Sequence, residues 1–304
     1  MTPPIAVLGL GGIGGMLAGR TGALCVGTER TVDAIRERGL RLVHVGDTTV
    51  THPEATTRLE TPVSLLVIAV KAYDLPAAFD RVALEALGGA VILPLQNGLE
   101  HVEAIRARVG GPTPTAAHAS PSVAAASIGR VSVSSPEPGV VVQTTHTGAA
   151  IRAASRHMEP DELADRLAPL AVPGIEVAVG DSEGEVLWEK VARLAVLASA
   201  TVATRSSIGP LRSDPAWRPR LEAALAEACA VAAADGVELD AGAQWAMIEA
   251  MPDDLTTSAA RDAASGGATE LDAIAGSVVR AGVRRGVPTP VLAELLEEAS
   301  CRAS

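Results

Sequence analysis

The chain has 304 residues, 48% of them hydrophobic, and a net charge of −11, so it can bury one large core or two moderate ones. The acidic balance argues against nucleic acid as a partner, because neutralising phosphates needs a basic face. Cys25, Cys229 and Cys301 lie far apart without a CxxC or Cys/His cluster, which argues against a disulfide framework or a structural zinc site, and no metal is expected.

The first residues lack a basic segment followed by a long apolar run, and no stretch approaches a membrane span. The expectation is a soluble, cytoplasmic protein. Among 25 basic residues only Lys71 and Lys190 are lysines. Arginine stays charged in any protein, whereas a desolvated lysine can release its proton. The two lysines are therefore candidates for chemistry that arginine cannot perform.

Ile5 to Leu8 is a short aliphatic run, followed at once by Gly9-Leu10-Gly11-Gly12-Ile13-Gly14-Gly15 and a helix-compatible segment. Gly9, Gly11 and Gly14 fill the positions of G-x-G-x-x-G, in the strand–turn–helix setting that gives the pattern meaning. The first glycine permits the turn, the second lets the backbone approach a pyrophosphate, and the third lets helix and strand pack closely. The helix N-terminus then offers amide donors to phosphates.

A second strand is expected over Ala23 to Gly27, ending in Thr28-Glu29-Arg30-Thr31. An acidic residue here favours the free 2′-hydroxyl of NAD, and an arginine accommodates the 2′-phosphate of NADP. With Glu29 and Arg30 adjacent, local chemistry leaves the cofactor open. Ser64 to Val70 and Ala90 to Leu95 are continuous apolar runs suited to strands buried on both faces of a parallel sheet. Lys71 and Asn97 follow their carboxyl ends, where doubly wound folds bind ligands. Val131 to Ser134 and Gly139 to Thr144 are expected as further strands closing the first domain, residues 1–181. His118 and His146 are isolated and carry no catalytic pattern.

From residue 182 to 304 the pattern turns to long Ala-rich helices. Over Glu183 to Arg205, Leu187, Val191, Leu194, Leu197, Ala198 and Thr201 form a helical stripe, and Lys190 sits on its face. Thr269 with Asp272 makes a capping signature that places Glu270 in the first turn of a helix running to about Arg285. There Glu270 is expected to face Lys190 and stabilise its charge. Ser258, in Thr256-Thr257-Ser258, is a candidate for capping a helix or binding a carboxylate. Ala-rich helices suit a homodimer interface and a monomer core equally.

The ordered segments GLGGIGG at Gly9, AVKAYDL at Ala69, LPLQNGLEH at Leu93, WEKVARL at Trp188, TTSAARDAASGGATELDAIAG at Thr256 and GVPTP at Gly286 resemble the ketopantoate reductase (2-dehydropantoate 2-reductase) family. The resemblance spans nearly the whole chain. It implies an α/β fold, with an N-terminal Rossmann-type doubly wound domain and a C-terminal all-helical domain like that of 6-phosphogluconate dehydrogenase. It also implies NADPH as hydride donor, cofactor contacts along Gly9, Leu10, Gly11, Gly12, Ile13 and Gly14, and a small 2-oxo acid as substrate. By the same resemblance Lys190 and Glu270 are catalytic, Lys71 and Arg30 hold cofactor, Asn97 serves cofactor and substrate, and Ser258 binds substrate.

Where the family usually carries asparagines, four and eight residues after its lysine, this chain has Leu194 and Ala198. The primary expectation is reduction of ketopantoate to pantoate. A more apolar 2-oxo acid on the same scaffold is the alternative, and a non-catalytic NADP-binding sensor is a third reading.

Overall fold

The computed structural model describes residues 4–44, 47–110, 120–137, 140–144 and 148–303. Their contacts form two units. One runs to Gln96 and resumes over His101–Val186, while the other combines Asn97–Glu100 with the chain from Leu187 onward.

In the first unit, β1 (Ile5–Leu8) turns into α1 (Gly12–Thr21), then β2 (Leu24–Val26) and α2 (Glu29–Arg38). A hairpin of β3 (Leu40–His44) and β4 (Asp47–Thr51) follows, then β5 (Ala55–Thr56), β6 (Leu65–Ile68), the short α3 (Leu75–Phe79) and β7 (Val91–Pro94). After α4 (His101–Val109) come β8 (Ser122–Val123), β9 (Ala125–Gly129), β10 (Val133–Glu137), β11 (Val141–Thr144) and β12 (Ala149–Ala154). The unit ends with α5 (Pro160–Leu167) and β13 (Ile175–Val179).

The main sheet is parallel throughout, in the order β5-β2-β1-β6-β7-β8. Every residue of β6 and β7 is buried, as a strand covered on both faces requires. The strand order reverses between β1 and β6, so the carboxyl ends of these two strands flank the crevice where such sheets hold ligands.

Val133–Glu137 and Val141–Thr144 do form strands, but they do not extend the parallel sheet. They pair with the β3–β4 hairpin in a separate sheet of order β10-β11-β3-β4. A third sheet, β13-β12-β9, completes the unit. Gly139, the expected start of the second of those strands, and His118 and His146 lie outside the described residues.

The second unit is helical. Its long entry helix, α6 (Glu183–Thr204), is followed by α7 (Ile208–Ser213), α8 (Trp217–Ala234), α9 (Ala241–Glu249) and α10 (Ser258–Ala264). A wide π turn over Asp272–Gly276 leads into α11 (Ser277–Arg285), and α12 (Pro290–Ala303) ends the described chain.

Ala192, Ala195, Ala198, Ala224, Ala228 and Ala232 are fully buried, so α6 and α8 fill their core with methyl groups rather than rings. Trp188 is the large exception. It is buried, and its indole N–H donates to Asp235 Oδ2 at 3.0 Å, which satisfies the one polar atom such a ring carries inside. Among the described residues no helix is long and apolar enough to cross a membrane.

Candidate functional site

The glycine turn after β1 is shaped by contacts that leave no room for side chains. Gly9 has φ +93, and a Cβ on it would meet Val70 Cγ1 at 2.4 Å. A Cβ on Gly14 would sit 1.8 Å from the Gly9 carbonyl oxygen. Around Gly11, by contrast, a Cβ would meet no atom of the described residues within 4 Å beyond its own chain neighbours and helix backbone, so its lack of a side chain leaves open space. Gly11 is also the N-cap of α1, with no side-chain cap and no acidic residue in the first turn. The first amides of α1 are thus left for an external acceptor. Leu10 is buried at 5% exposure, so its side chain belongs to the core and only its backbone can serve a ligand.

Past β2, Thr28 caps α2 by accepting from Thr31 N at 3.4 Å. Glu29 and Arg30 are therefore residues of the first helical turn rather than of a loop. Arg30 is exposed and has no hydrogen bond or ion pair among the described residues, so its guanidinium is available to an anion. Lys71 follows β6 by three residues and opens the 3₁₀ turn Ala72–Asp74, its carbonyl accepting from Asp74 N at 3.0 Å.

In the helical unit the structure associates Lys190 with Glu270. Burial pushes the Lys190 ammonium down to about 8, and the Glu270 charge opposes that shift. Lys190 as a whole keeps partial exposure, whereas Glu270 is buried at 5%. Glu270 lies one position earlier than the capping signature suggested. Its carbonyl accepts from Ile274 N at 2.9 Å, which makes Glu270 the residue at which the chain enters the helix and not a member of its first turn. The π turn that follows at once is a wide, uncommon geometry.

Ser258 is the first residue of α10, but the cap is its neighbour. Thr257 Oγ1 accepts from Ala260 N at 3.1 Å and lies 2.9 Å from Thr201 Oγ1 of α6. The Ser258 hydroxyl is half-buried, with no partner among the described residues. Thr201 follows Lys190 by eleven residues, or three turns, so one face of α6 carries the lysine and receives the α10 cap.

Asn97 leaves the end of β7 and groups with the helical unit. Its Oδ1 is buried and has no hydrogen-bond partner among the described residues. Gly98, at φ +100, is pressed on the π turn so closely that a Cβ would lie 2.0 Å from the Ala273 carbonyl. Of the two apolar replacements on α6, Leu194 is half-buried against the helical core while Ala198 is fully buried. Only Leu194 presents surface to a ligand, where the sequence suggested both.

Two further groups, Gln96 and Glu100, lie inside the LPLQNGLEH segment, but the sequence does not single them out. Both amide atoms of Gln96 are buried with no hydrogen-bond partner among the described residues, and Glu100 is bonded to Arg280, distant in sequence. A surface cleft of about 520 Å³ at the ends of β12 and β13, lined by Ser155, Arg156, His157 and Asp181 among others, includes none of the candidate residues.

Residues 5–155 match the family described as "Ketopantoate reductase PanE/ApbA", and residues 185–300 match "Ketopantoate reductase PanE/ApbA C terminal". A 2-dehydropantoate 2-reductase of Halobacterium salinarum is 29% identical over 301 residues, covering 94% of this chain and 92% of that protein. A PanE/ApbA family ketopantoate reductase from Ralstonia eutropha JMP134 is 25% identical, with a TM-score of 0.80 over 98% of each chain. A D-mandelate dehydrogenase, solved with NADH and anilino(oxo)acetate, shares the fold at 19% identity, with a TM-score of 0.81 over 98% of this chain and 97% of that one. With both halves matched in order, the chain belongs to the ketopantoate reductase family and is an oxidoreductase.

Proposed function

We propose that the protein reduces a small 2-oxo acid to the 2-hydroxy acid with NADPH, and that ketopantoate, giving pantoate, is its substrate. The observation that carries this reading is a desolvated lysine whose charge is supported by a buried glutamate. Such a pair holds a proton ready to leave at near-neutral pH.

The residues fit the cofactor. The uncapped, uncharged N-terminus of α1 suits a pyrophosphate, and the unpaired Arg30 guanidinium suits a 2′-phosphate. Lys71, at the end of β6, adds a cation on the same edge of the sheet. A dihydronicotinamide held there would supply the hydride for the substrate's C2 carbonyl carbon.

Lys190 donates a hydrogen bond to the carbonyl oxygen and transfers its proton there as negative charge develops. Glu270 keeps the ammonium protonated and oriented. Asn97, whose buried carbonyl oxygen has no partner among the described residues, and Ser258, whose hydroxyl has none there either, orient the substrate.

A second reading is favoured by Leu194. It offers an apolar surface one turn from Lys190, so a 2-oxo acid with a more apolar tail would lose no hydrogen bond there. The D-mandelate dehydrogenase of the same fold, bound to anilino(oxo)acetate, gives that reading a precedent in shape. Oxidation of NADPH and of NADH, followed by absorbance with ketopantoate and with 2-oxo acids lacking its hydroxyl, separates the two. Cofactor binding without turnover of any of them would overturn both and leave a sensor.

A further inference from the structure

Asn97 to Glu100 form a short loop that the helical unit carries, although it is spelled between β7 and α4 of the other unit. Its grip has two parts. Gly98 lies against the Ala273 carbonyl with no space for a side chain. Two residues on, Glu100 receives Arg280 Nε at 3.1 and 3.2 Å and Arg280 Nη2 at 2.7 Å, and Arg284 Nη1 adds a bond at 3.1 Å.

Arg280 also reaches back to the π turn. Its Nη1 donates to Asp272 Oδ1 at 2.7 Å and its Nη2 to the Asp272 main-chain carbonyl at 3.1 Å. A single guanidinium thus joins the loop bearing Asn97 to the π turn that starts at Asp272, two residues after Glu270. Isolated surface ion pairs contribute little, but forked arginine bonds shared by several carboxylates fix geometry. The bonds from Arg280 hold the Glu100 carboxyl below the usual carboxylate range, so the fork persists at working pH.

We propose that Arg280 and Glu100 are positioning residues for the reaction, holding Asn97 in register with Glu270 through the π turn. Neither touches the reacting atoms. The inference rests on the substrate role proposed for Asn97, and both can be tested in the full-length protein with ketopantoate and NADPH.

The experiment is a double-mutant cycle. Displacement of a positioning group by about 1 Å can cost up to about a hundredfold in rate, so Arg280→Ala should lower kcat/KM roughly tenfold or more. The nearly isosteric Glu100→Gln should act in the same direction, while melting temperature and NADPH titration verify that each variant is folded. In an Asn97→Ala background the same Arg280→Ala change should cost less than about twofold, because residues acting through one group are not additive.

An equal factor in both backgrounds would show that Arg280 supports the fold generally and would overturn the inference, as would unchanged kcat/KM for Arg280→Ala and Glu100→Gln alone. Full kcat/KM for Asn97→Ala by itself would instead overturn the reading of Asn97. That result is obtained before Arg280 is altered.

Discussion

The Lys190 ammonium is held between two opposing influences: burial, which drives its pKa down to about 8, and the charge of Glu270, which drives it up. With Lys190 as the proton donor proposed above, reduction needs the protonated form. In the free enzyme kcat/KM for 2-oxo acid reduction should therefore be flat below about pH 8 and fall about tenfold per unit above it. Oxidation of the 2-hydroxy acid should show the opposite limb. Glu270→Gln removes the influence that raises the pKa, so its limb should move to lower pH. A limb that stays at about 8 in that variant would separate Glu270 from the lysine.

Replacing Lys190 by alanine should cost about 10²–10⁴ in kcat, the usual worth of a positioned acid, with NADPH affinity little changed. Full turnover at saturating substrate and cofactor would sink the assignment. Lys190→Arg should stay slow even though charge is retained, because arginine does not release its proton in this range.

Gly11 and Gly14 should respond differently to alanine. At Gly14 the methyl would meet the Gly9 carbonyl at 1.8 Å, and relieving it must move the turn. Overpacking of this kind costs about 1–3 kcal/mol, so the melting temperature should drop along with NADPH affinity. At Gly11 the methyl meets no atom of the described residues within 4 Å beyond its own chain neighbours and helix backbone. Gly11→Ala should keep its melting temperature yet lose roughly tenfold or more in NADPH affinity, the worth of one hydrogen bond to a charged group at about 1.5–3 kcal/mol. Calorimetry and a fluorescence titration distinguish the two cases.

Arg30 is exposed and unpaired among the described residues, so Arg30→Ala should leave stability unaltered. It should raise KM for NADPH about tenfold or more, while KM for NADH stays within about twofold. Equal effects on both cofactors would show that Arg30 does not read the 2′-phosphate.

Leu194→Asn should be tolerated, because the side chain is only half-buried. It should shift preference towards 2-oxo acids carrying a hydroxyl, measured as a ratio of kcat/KM values. Ala198→Asn places a larger polar side chain at a fully buried site and should destabilise by about 1–3 kcal/mol. Denaturant unfolding would reveal that cost.

The sequence by itself determined whatever rests on local pattern. The three glycines after a first aliphatic run, the buried runs that became β6 and β7, and the lysine on the face of α6 all come from residues a few positions apart. Their spacing follows strand and helix periods, which is why they were legible.

The tertiary structure decided what depends on meetings between distant segments. It sent β10 and β11 to a second sheet, where β11 pairs with β3 and β10 with β11. It set the Thr257 hydroxyl, which caps α10, against Thr201 on another helix, and gave the Ser258 hydroxyl no partner among the described residues. It buried Ala198 fully and left Leu194 half-buried, a distinction that two apolar letters on one helical stripe cannot make. Above all it assigned Asn97 to the helical unit, through Gly98 against Ala273 and Glu100 against Arg280. No local period encodes a bond across 180 positions of chain. Only the packed helices bring those groups within reach.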